Sequence, residues 1–316
     1  MDEAKKIVQY AHAVADEHNA VVLLYSGSID NQGFGRLMSA LQPSETKPYK
    51  PNVVLLLTTR GGDANAAYRI ARVLQQTFDR FVLVVPAICK SAGTLVALGA
   101  NELVMDDVAE LGPLDVQLMQ RDEIAQRRSG MVVRTAFEGL ATETFDVFER
   151  VMLGIKVKSF GTVSFDTASR IAANITSGVM SPIYAQISPD ALGTDLRDLH
   201  VATQYGMRLA RQSEIASPEV VDHLVSGYPS HDFIIDRTEA SELFETVSSP
   251  DDNVRKLISS LAELVYTEHS PQVVLRLDEN LGDKDDDANQ DGQAADASPD
   301  MADGRVEEGR GDPEGS

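Results

Sequence analysis

The sequence predicts an α/β fold with mainly parallel strands, followed by a helical C-terminal region. Two segments, 53–57 and 81–85, are continuous apolar runs rich in β-branched residues, and each runs into a helix through a short elbow. Such runs are typical of strands covered on both faces. Successive strand-helix units of this kind wind as a right-handed spiral with mostly parallel pairing.

The other elements follow from periodicity and turn residues. The predicted helices cover 2–19, 31–41, 195–212 and 220–225, and 118–180 contains further helix-forming segments. The predicted strands are 21–25, 102–105 and a short one over 233–235, with a loop over 42–52 and a turn over 111–115. A last helix, ending at 244, begins with the capping pair Asp236 and Glu239.

The first elbow is the pair Gly61-Gly62. Glycines allow a positive φ and let a ligand approach the peptide N–H groups without meeting a Cβ. Asp63 then caps a helix that places its apolar residues on one face. These apolar residues are Ala67, Ile70, Ala71 and Leu74.

The second elbow is the segment Cys89-Lys90-Ser91-Ala92-Gly93, which places Ser91 at a helix N-terminus. Unpaired N–H groups and the helix dipole favour negative charge there, so a serine oxygen and a developing oxyanion would both be stabilised. Serine is also a common N-cap. Both interpretations, nucleophile and N-cap, follow from the residues.

Together the two elbows resemble the Clp protease/crotonase superfamily, and within it the serine dehydrogenase proteinases, relatives of signal peptide peptidase A. The segments that carry the resemblance are TTRGGDANAAYRIARVL and CKSAGTLVALGANELVMDDVAELGPLD. The likeness extends over roughly residues 20 to 250. It implies a Clp/crotonase-like right-handed β/α spiral with C-terminal helical elaboration, in a peptidase domain over 1–270.

The resemblance also implies a site and partners. Ser91 would be the nucleophile of a serine peptidase, and the N–H groups of Gly62 and Ala92 would form its oxyanion hole. Gly61 and Ser26 would contact a peptide or unfolded-protein substrate. Relatives act as oligomers, so we expect a homo-oligomer, and no cofactor is implied.

The general base is the open part of this site. No histidine occurs between Ser91 and His200, and the segment matching the lysine of signal peptide peptidases has threonine at position 176. We favour Lys156 or Lys158, because a lysine desolvated among apolar neighbours can lose its proton near neutral pH. A second candidate is His231 with Asp232, since triads are defined by geometry rather than chain order.

Composition excludes several classes of protein. The chain carries 28 Lys+Arg against 49 Asp+Glu, a net charge of -21, which opposes binding to nucleic acid. Its longest apolar stretches are shorter than the ~20 residues of a membrane-crossing helix, so no membrane span is expected. No grouping of His, Asp and Glu has metal-ligand spacing, so no metal site is predicted.

Composition and charge also predict the cellular location and the nature of the C-terminal segment. The single cysteine, Cys89, suits a reducing compartment, and residues 1–20 lack the apolar centre of a secretory signal, so we expect a cytoplasmic protein. Residues 281–316 contain twelve Asp/Glu against three Lys/Arg, or -9 of the total charge. We therefore predict a disordered acidic tail over 278–316.

Two alternatives to the peptidase stay open. One is a non-catalytic assembly or interaction protein of the same fold, which the threonine at position 176 favours. The other is crotonase-type chemistry on an acyl-thioester, in which two N–H groups polarise a carbonyl without a nucleophile. A serine at the elbow and the lack of an evident acid/base carboxylate pattern count against the second.

Overall fold

The computed structural model describes residues 3–42, 50–114 and 130–279. The strands in these ranges are β1 Ala20–Ser26, β2 Asn52–Thr58, β3 Arg80–Val85, β4 Ile88–Cys89, β5 Glu102–Met105, β6 Glu110–Leu111, β7 Val247–Ser248 and β8 Val273–Arg276. Six of them form one sheet in the order β7-β5-β3-β2-β1-β8, and β4 pairs with β6 in a second, two-stranded sheet.

Helices connect and cover these strands. They are α1 Glu3–Glu17, α2 Asn31–Ala40, α3 Ala64–Thr77, α4 Ala92–Ala97, α5 Gly130–Lys158, α6 Phe165–Tyr184, α7 Pro189–Ser213, α8 Pro218–Ser226, α9 Arg237–Leu243, α10 Asp252–Ser260 and α11 Ala262–Val265. In the part of the chain that the structure describes, no helix has both the length and the apolar character to cross a bilayer.

The sheet is apolar on both faces, as the continuous runs predict. Along β2, Val53 and Leu55 belong to one buried cluster, while Val54 and Leu56 belong to another. The first cluster includes residues of α3, α4 and α7, and the second includes residues of α1 and α10. Burial on both faces explains why the strands do not alternate polar with apolar residues.

Parallel pairing holds for β1, β2, β3 and β5, and α5 to α9 supply the helical C-terminal part. The predicted α/β fold class is therefore confirmed. The parallel arrangement brings the C-terminal ends of β1, β2 and β3 to one edge of the sheet, where the loops that follow them meet. Ligands of α/β sheets bind at this kind of edge.

Two strands come from a part of the chain where none was predicted. The antiparallel β8 lies beside β1, and the two-residue β7 lies beside β5. The predicted strand over 233–235 is wrong, because only Ile235 pairs, in an isolated bridge with Leu111. Short edge strands carry little periodicity, so their pairing depends on the sheet that is already present.

The predicted tail begins too early at Asp278. This carboxylate accepts hydrogen bonds from the Val22 N–H at 3.2 Å and from the Arg276 guanidinium at 3.0 and 3.1 Å. Asp278 is therefore part of the folded region. Residues 280–316, the rest of the predicted tail, lie outside the described residues.

Candidate active site

The loop after β1 lies against the diglycine turn that ends β2. Gly61 and Gly62 have φ of 118° and 147°, values that favour glycine. The Ile29 N–H donates to the Gly61 carbonyl at 2.9 Å, and the Asp63 N–H donates to the Ile29 carbonyl at 2.8 Å. A Cβ on Gly62 would lie 2.1 Å from the Ile29 oxygen. This close approach, as well as the positive φ, requires glycine at position 62.

Ser91 forms a strained elbow between β4 and α4. Its φ of 54° and ψ of -112° lie outside the regions that serine ordinarily adopts, and its side chain makes no capping hydrogen bond to the helix. Ser91 is thus the N-cap residue of α4 by its backbone position, but its side chain does not cap the helix. Such a conformation costs about 1–3 kcal/mol and is typical of functional sites, among them the elbows that carry nucleophilic serines.

The two elbows are joined by backbone hydrogen bonds. The Thr59 N–H donates to the Ile88 carbonyl at 2.8 Å, and the Lys90 N–H donates to the Thr59 carbonyl at 3.0 Å. This pairing holds the backbone of β4 next to the end of β2. Neither Thr59 nor Ile29 was singled out from the sequence, although adjacent loops are expected wherever parallel strands end together.

Gly61 and Ser91 are in direct contact as a result. A Cβ built on Gly61 would lie 2.8 Å from the Ser91 Cβ and 3.1 Å from its Oγ. The nucleophile candidate and the diglycine turn therefore face each other across a gap that admits no side chain at position 61.

The N–H groups around this contact differ in availability. The Gly61 N–H donates to the Thr59 Oγ1 at 3.0 Å, so it is already used. Within residues 3–42, 50–114 and 130–279, the N–H groups of Gly62 and Ala92 donate no hydrogen bond. Two backbone donors, one from each elbow, are thus available for a negatively charged oxygen, as an oxyanion hole requires.

Ser91 is shielded from solvent, with 3% of its surface exposed, whereas Gly62 is only partly buried. The helix that follows, α4, is buried over its whole length. The elbow therefore sits on a rigid support.

The side chain of Lys90 ties the second elbow to neighbouring elements of the fold. Its ammonium group lies 3.4 Å from the Glu110 carboxylate and donates to the Asp232 carbonyl at 3.1 Å. The lysine side chain is 11% exposed and that of Glu110 is 20% exposed, so the pair is largely withdrawn from water. Lys90 therefore binds to β6 and to the loop that contains Asp232, and this positions the residue preceding Ser91.

The candidate bases lie in two different places. Lys156 donates to the Val163 carbonyl at 2.7 Å near the turn between α5 and α6, and Lys158 is exposed at the end of α5. Among the described contacts, none joins either lysine to the elbows. His231 precedes Asp232, whose carbonyl Lys90 binds, so the loop that contains His231 touches the residue next to Ser91, and no such contact is described for the two lysines.

Ser26 does not reach a substrate surface. It is fully buried at the end of β1, and its hydroxyl donates to the Thr267 carbonyl at 3.1 Å. This burial argues against the substrate contact predicted for Ser26 and gives the side chain a structural role. Gly61, the other predicted contact, lies at the site against Ser91.

One group of side chains has metal-ligand chemistry, at a place where no metal was predicted. Glu17, His18 and Asp251 bring a ligand atom each within 4.8 Å of one another. The His18 Nε2 lies 3.0 Å from the Asp251 carboxylate, which also accepts the N–H groups of Asn253 and Val254 as the cap of α10. These contacts account for the cluster as a link between α1 and α10.

The region that contains both elbows matches a known protein family. Residues 36–128 match the family described as ClpP-like SDH-type serine proteinase. Both elbows lie inside this range. The resemblance to serine dehydrogenase proteinases is thereby confirmed for this part of the chain.

Two curated relatives match over short segments. Both are uncharacterized proteins of Methanocaldococcus jannaschii: MJ0137 is 38% identical over 80 residues, or 25% of this chain and 28% of the relative, and MJ1495 is 38% identical over 66 residues, or 21% and 23%. The chain therefore spans about a quarter of the length of the curated relatives it matches.

Two solved structures are similar in outline. Both are of the 1510-N membrane-bound stomatin-specific protease. One is a serine-to-alanine mutant, with 15% identity and a TM-score of 0.42, covering 76% of this chain and 83% of that chain. The other is a lysine-to-alanine mutant in complex with a substrate peptide, with 16% identity and a TM-score of 0.43, covering 75% and 78%.

Proposed function

We propose that this chain is a serine peptidase that cleaves peptide bonds by acyl transfer through Ser91. The observation that carries the proposal is the contact between the two elbows. A serine in a strained backbone conformation faces a diglycine turn, and each elbow contributes a backbone N–H that donates no hydrogen bond within the described residues. The match of residues 36–128 to a serine proteinase family supports the same chemistry.

The reaction follows from these groups. The Ser91 Oγ attacks the carbonyl carbon of the scissile peptide bond and its proton passes to a base, while the N–H groups of Gly62 and Ala92 hold the oxyanion. The C–N bond then breaks and the amine leaves with the proton. Water attacks the resulting ester, restores the serine hydroxyl and releases the carboxylic acid.

The base is one of the three predicted groups, Lys156, Lys158 or His231. Their positions support His231 within one chain, because its loop contacts the elbow through Lys90. Loss of labelling in His231→Gln, Lys156→Met or Lys158→Met identifies the group.

We propose an extended peptide or unfolded protein as the substrate, because a serine that is 3% exposed admits main chain more readily than a folded surface. The proposed location is the cytoplasm, supported by the single, buried cysteine. We also propose that the chain self-associates, because it resembles proteins that act as oligomers.

The test is covalent labelling with diisopropyl fluorophosphate, a probe small enough for a shielded serine. Intact mass spectrometry should show one adduct on the wild-type chain and none on Ser91→Ala. Ser259→Ala, a matched change at an exposed position of α10, should label at the wild-type rate. Wild-type protein that neither labels nor cleaves an unfolded protein such as casein would rule the peptidase out.

A non-catalytic assembly protein of the same fold is the second candidate. Two observations favour it. Ser91 is shielded from solvent, and no contact among the described residues joins the elbow to Lys156 or Lys158. It predicts a chain that stays unlabelled at every pH while keeping its fold and its self-association.

A further inference from the structure

The helix α6 is apolar on two faces but buries one of them. Its buried residues are Ala168, Ala172, Thr176 and Met180, and α5 is the element it chiefly packs against among the described residues. A second row at four-residue spacing is exposed to solvent. This row, here called the outer stripe, consists of Ile171, Ile175, Val179 and Ile183, which are 41%, 44%, 53% and 40% exposed.

The outer stripe lies in an uncharged segment. From Ile171 to Ser188 the sequence has no Asp, Glu, Lys, Arg or His, although the chain as a whole carries a net charge of -21. A surface helix ordinarily turns charged residues to the solvent, and a helix that is apolar on several faces is ordinarily covered on several faces. The composition of α6 therefore indicates a partner on its outer side.

The exposed apolar surface of this hairpin is large enough for a stable interface. Val157, Phe160 and Phe165, at the turn between α5 and α6, are 73%, 96% and 65% exposed. Together with the outer stripe they present on the order of 700 Å² per chain, from ~150–200 Å² for a fully exposed large apolar side chain. A standard interface buries about 800 Å² per partner, and the largest apolar patch of a typical monomer is about 300–600 Å².

We propose that the outer stripe of α6 binds the same stripe of a second copy of this chain. The charge of the chain favours a second copy as the partner at this surface. Two copies that each carry -21 repel each other over most of their surfaces, but the uncharged stretch of α6 lets them meet without bringing like charges together. A row at four-residue spacing also packs against an identical row across a twofold axis, as ridges into grooves. Gly178, with open space at its Cβ position, allows close approach.

A lipid surface fits the same stripe less well. Interfacial helices combine an apolar face with Lys and Arg that contact anionic headgroups. The stretch from Ile171 to Ser188 has none of these residues, and the net charge opposes such a surface. The proposed pairing does not depend on the chemistry of Ser91.

Sedimentation velocity on the full chain tests the pairing. Wild-type protein should be dimeric or larger in the micromolar range, and the double variant Ile175→Asp/Val179→Asp should weaken association at least 100-fold, because it buries charges at the contact. Asn174→Asp, which adds one negative charge at an exposed position off the stripe, should behave as wild type. Ser91→Ala should also stay associated, so that failure of the peptidase proposal and failure of this one are distinguishable.

Disulfide trapping tests the geometry. In a Cys89→Ser background, Val179→Cys should form a disulfide-linked dimer on mild oxidation, and Asn174→Cys should not. A wild-type monomer at 100 μM, an unchanged dimer in the double aspartate variant, or a monomer that floats with phosphatidylcholine vesicles would each overturn the proposal. Thermal melts of the aspartate variants confirm that they are folded.

Discussion

Gly61 and Ser91 lie so close that a methyl group at position 61 would approach the Ser91 Cβ to 2.8 Å. The contact exists because two loops from neighbouring parallel strands are tied to each other by Thr59, through its N–H and carbonyl. The strained φ of Ser91 is thus held by the surrounding backbone, which is how an unfavourable conformation persists in a folded protein. Four predictions follow from this neighbourhood.

Gly61→Ala should disable Ser91. The added methyl must displace the serine and take up a φ of 118°, which alanine rarely adopts. A displacement near 1 Å costs about 100-fold in rate at a reacting centre, so the rate of fluorophosphate labelling should fall at least that far. Gly35→Ala, in α2 with nothing near its Cβ position, should label normally and gain roughly 0.5–1 kcal/mol of stability. Equal labelling of both variants would contradict the contact.

Removing the charge of Lys90 should destabilise the fold through Glu110. Lys90→Met keeps the apolar stem but leaves a carboxylate that is 20% exposed without its cation, at a cost of about 2 kcal/mol. The double variant Lys90→Met/Glu110→Gln should lose less than the sum of the single variants. Urea unfolding measures all three free energies, and strict additivity would show that the two side chains do not interact.

The cap of α3 should matter more for labelling than a matched cap elsewhere. The Asp63 carboxylate accepts the Ala66 N–H at 2.7 Å, directly after the diglycine turn. Asp63→Ala should cost about 1 kcal/mol and slow the labelling of Ser91, because the Gly62 N–H loses its support. Ser164→Ala, at the start of α6, should cost a similar amount and leave labelling unchanged. Asp63→Asn should restore both properties.

Cys89 should be inert in the folded protein. The side chain is fully buried, and burial raises the pKa of the Cys89 thiol, so little thiolate forms near pH 8. Ellman's reagent should detect no thiol in native protein and one after unfolding in guanidinium. Asn174→Cys supplies an exposed thiol as the positive control. Rapid reaction of native wild-type protein would show that β4 opens readily, which the hydrogen bonds from Thr59 oppose.

The elbows were predictable from the sequence because their signals are local. Continuous apolar strands, the pair Gly61-Gly62 and the small residues after Ser91 are consecutive in the chain, and each determines its own backbone conformation. The cap at Asp236 was predictable in the same way, and its carboxylate accepts the Glu239 N–H at 2.9 Å. The side chain of Glu239 differs from a full capping box, since it accepts the Tyr228 hydroxyl at 2.6 Å.

The surroundings of the site were not predictable in this way. That Ser26 is buried against Thr267, and that β8 completes the sheet beside β1, depends on contacts between residues more than 240 positions apart. The position of Lys156 beside Val163, away from the elbow, likewise depends on how α5 and α6 form a hairpin. Sequence spacing carries no information about such distances.

By itself, therefore, the sequence determined the class of fold, the two elbows and the position of Ser91 on the second of them, because short-range sterics and apolar periodicity specify them. The tertiary structure alone decided that the elbows touch, which N–H groups have no partner among the described residues, and which candidate base lies on a loop that contacts the second elbow. The physical reason is that hydrogen bonds between loops form only after parallel pairing has brought the strand ends to one edge of the sheet.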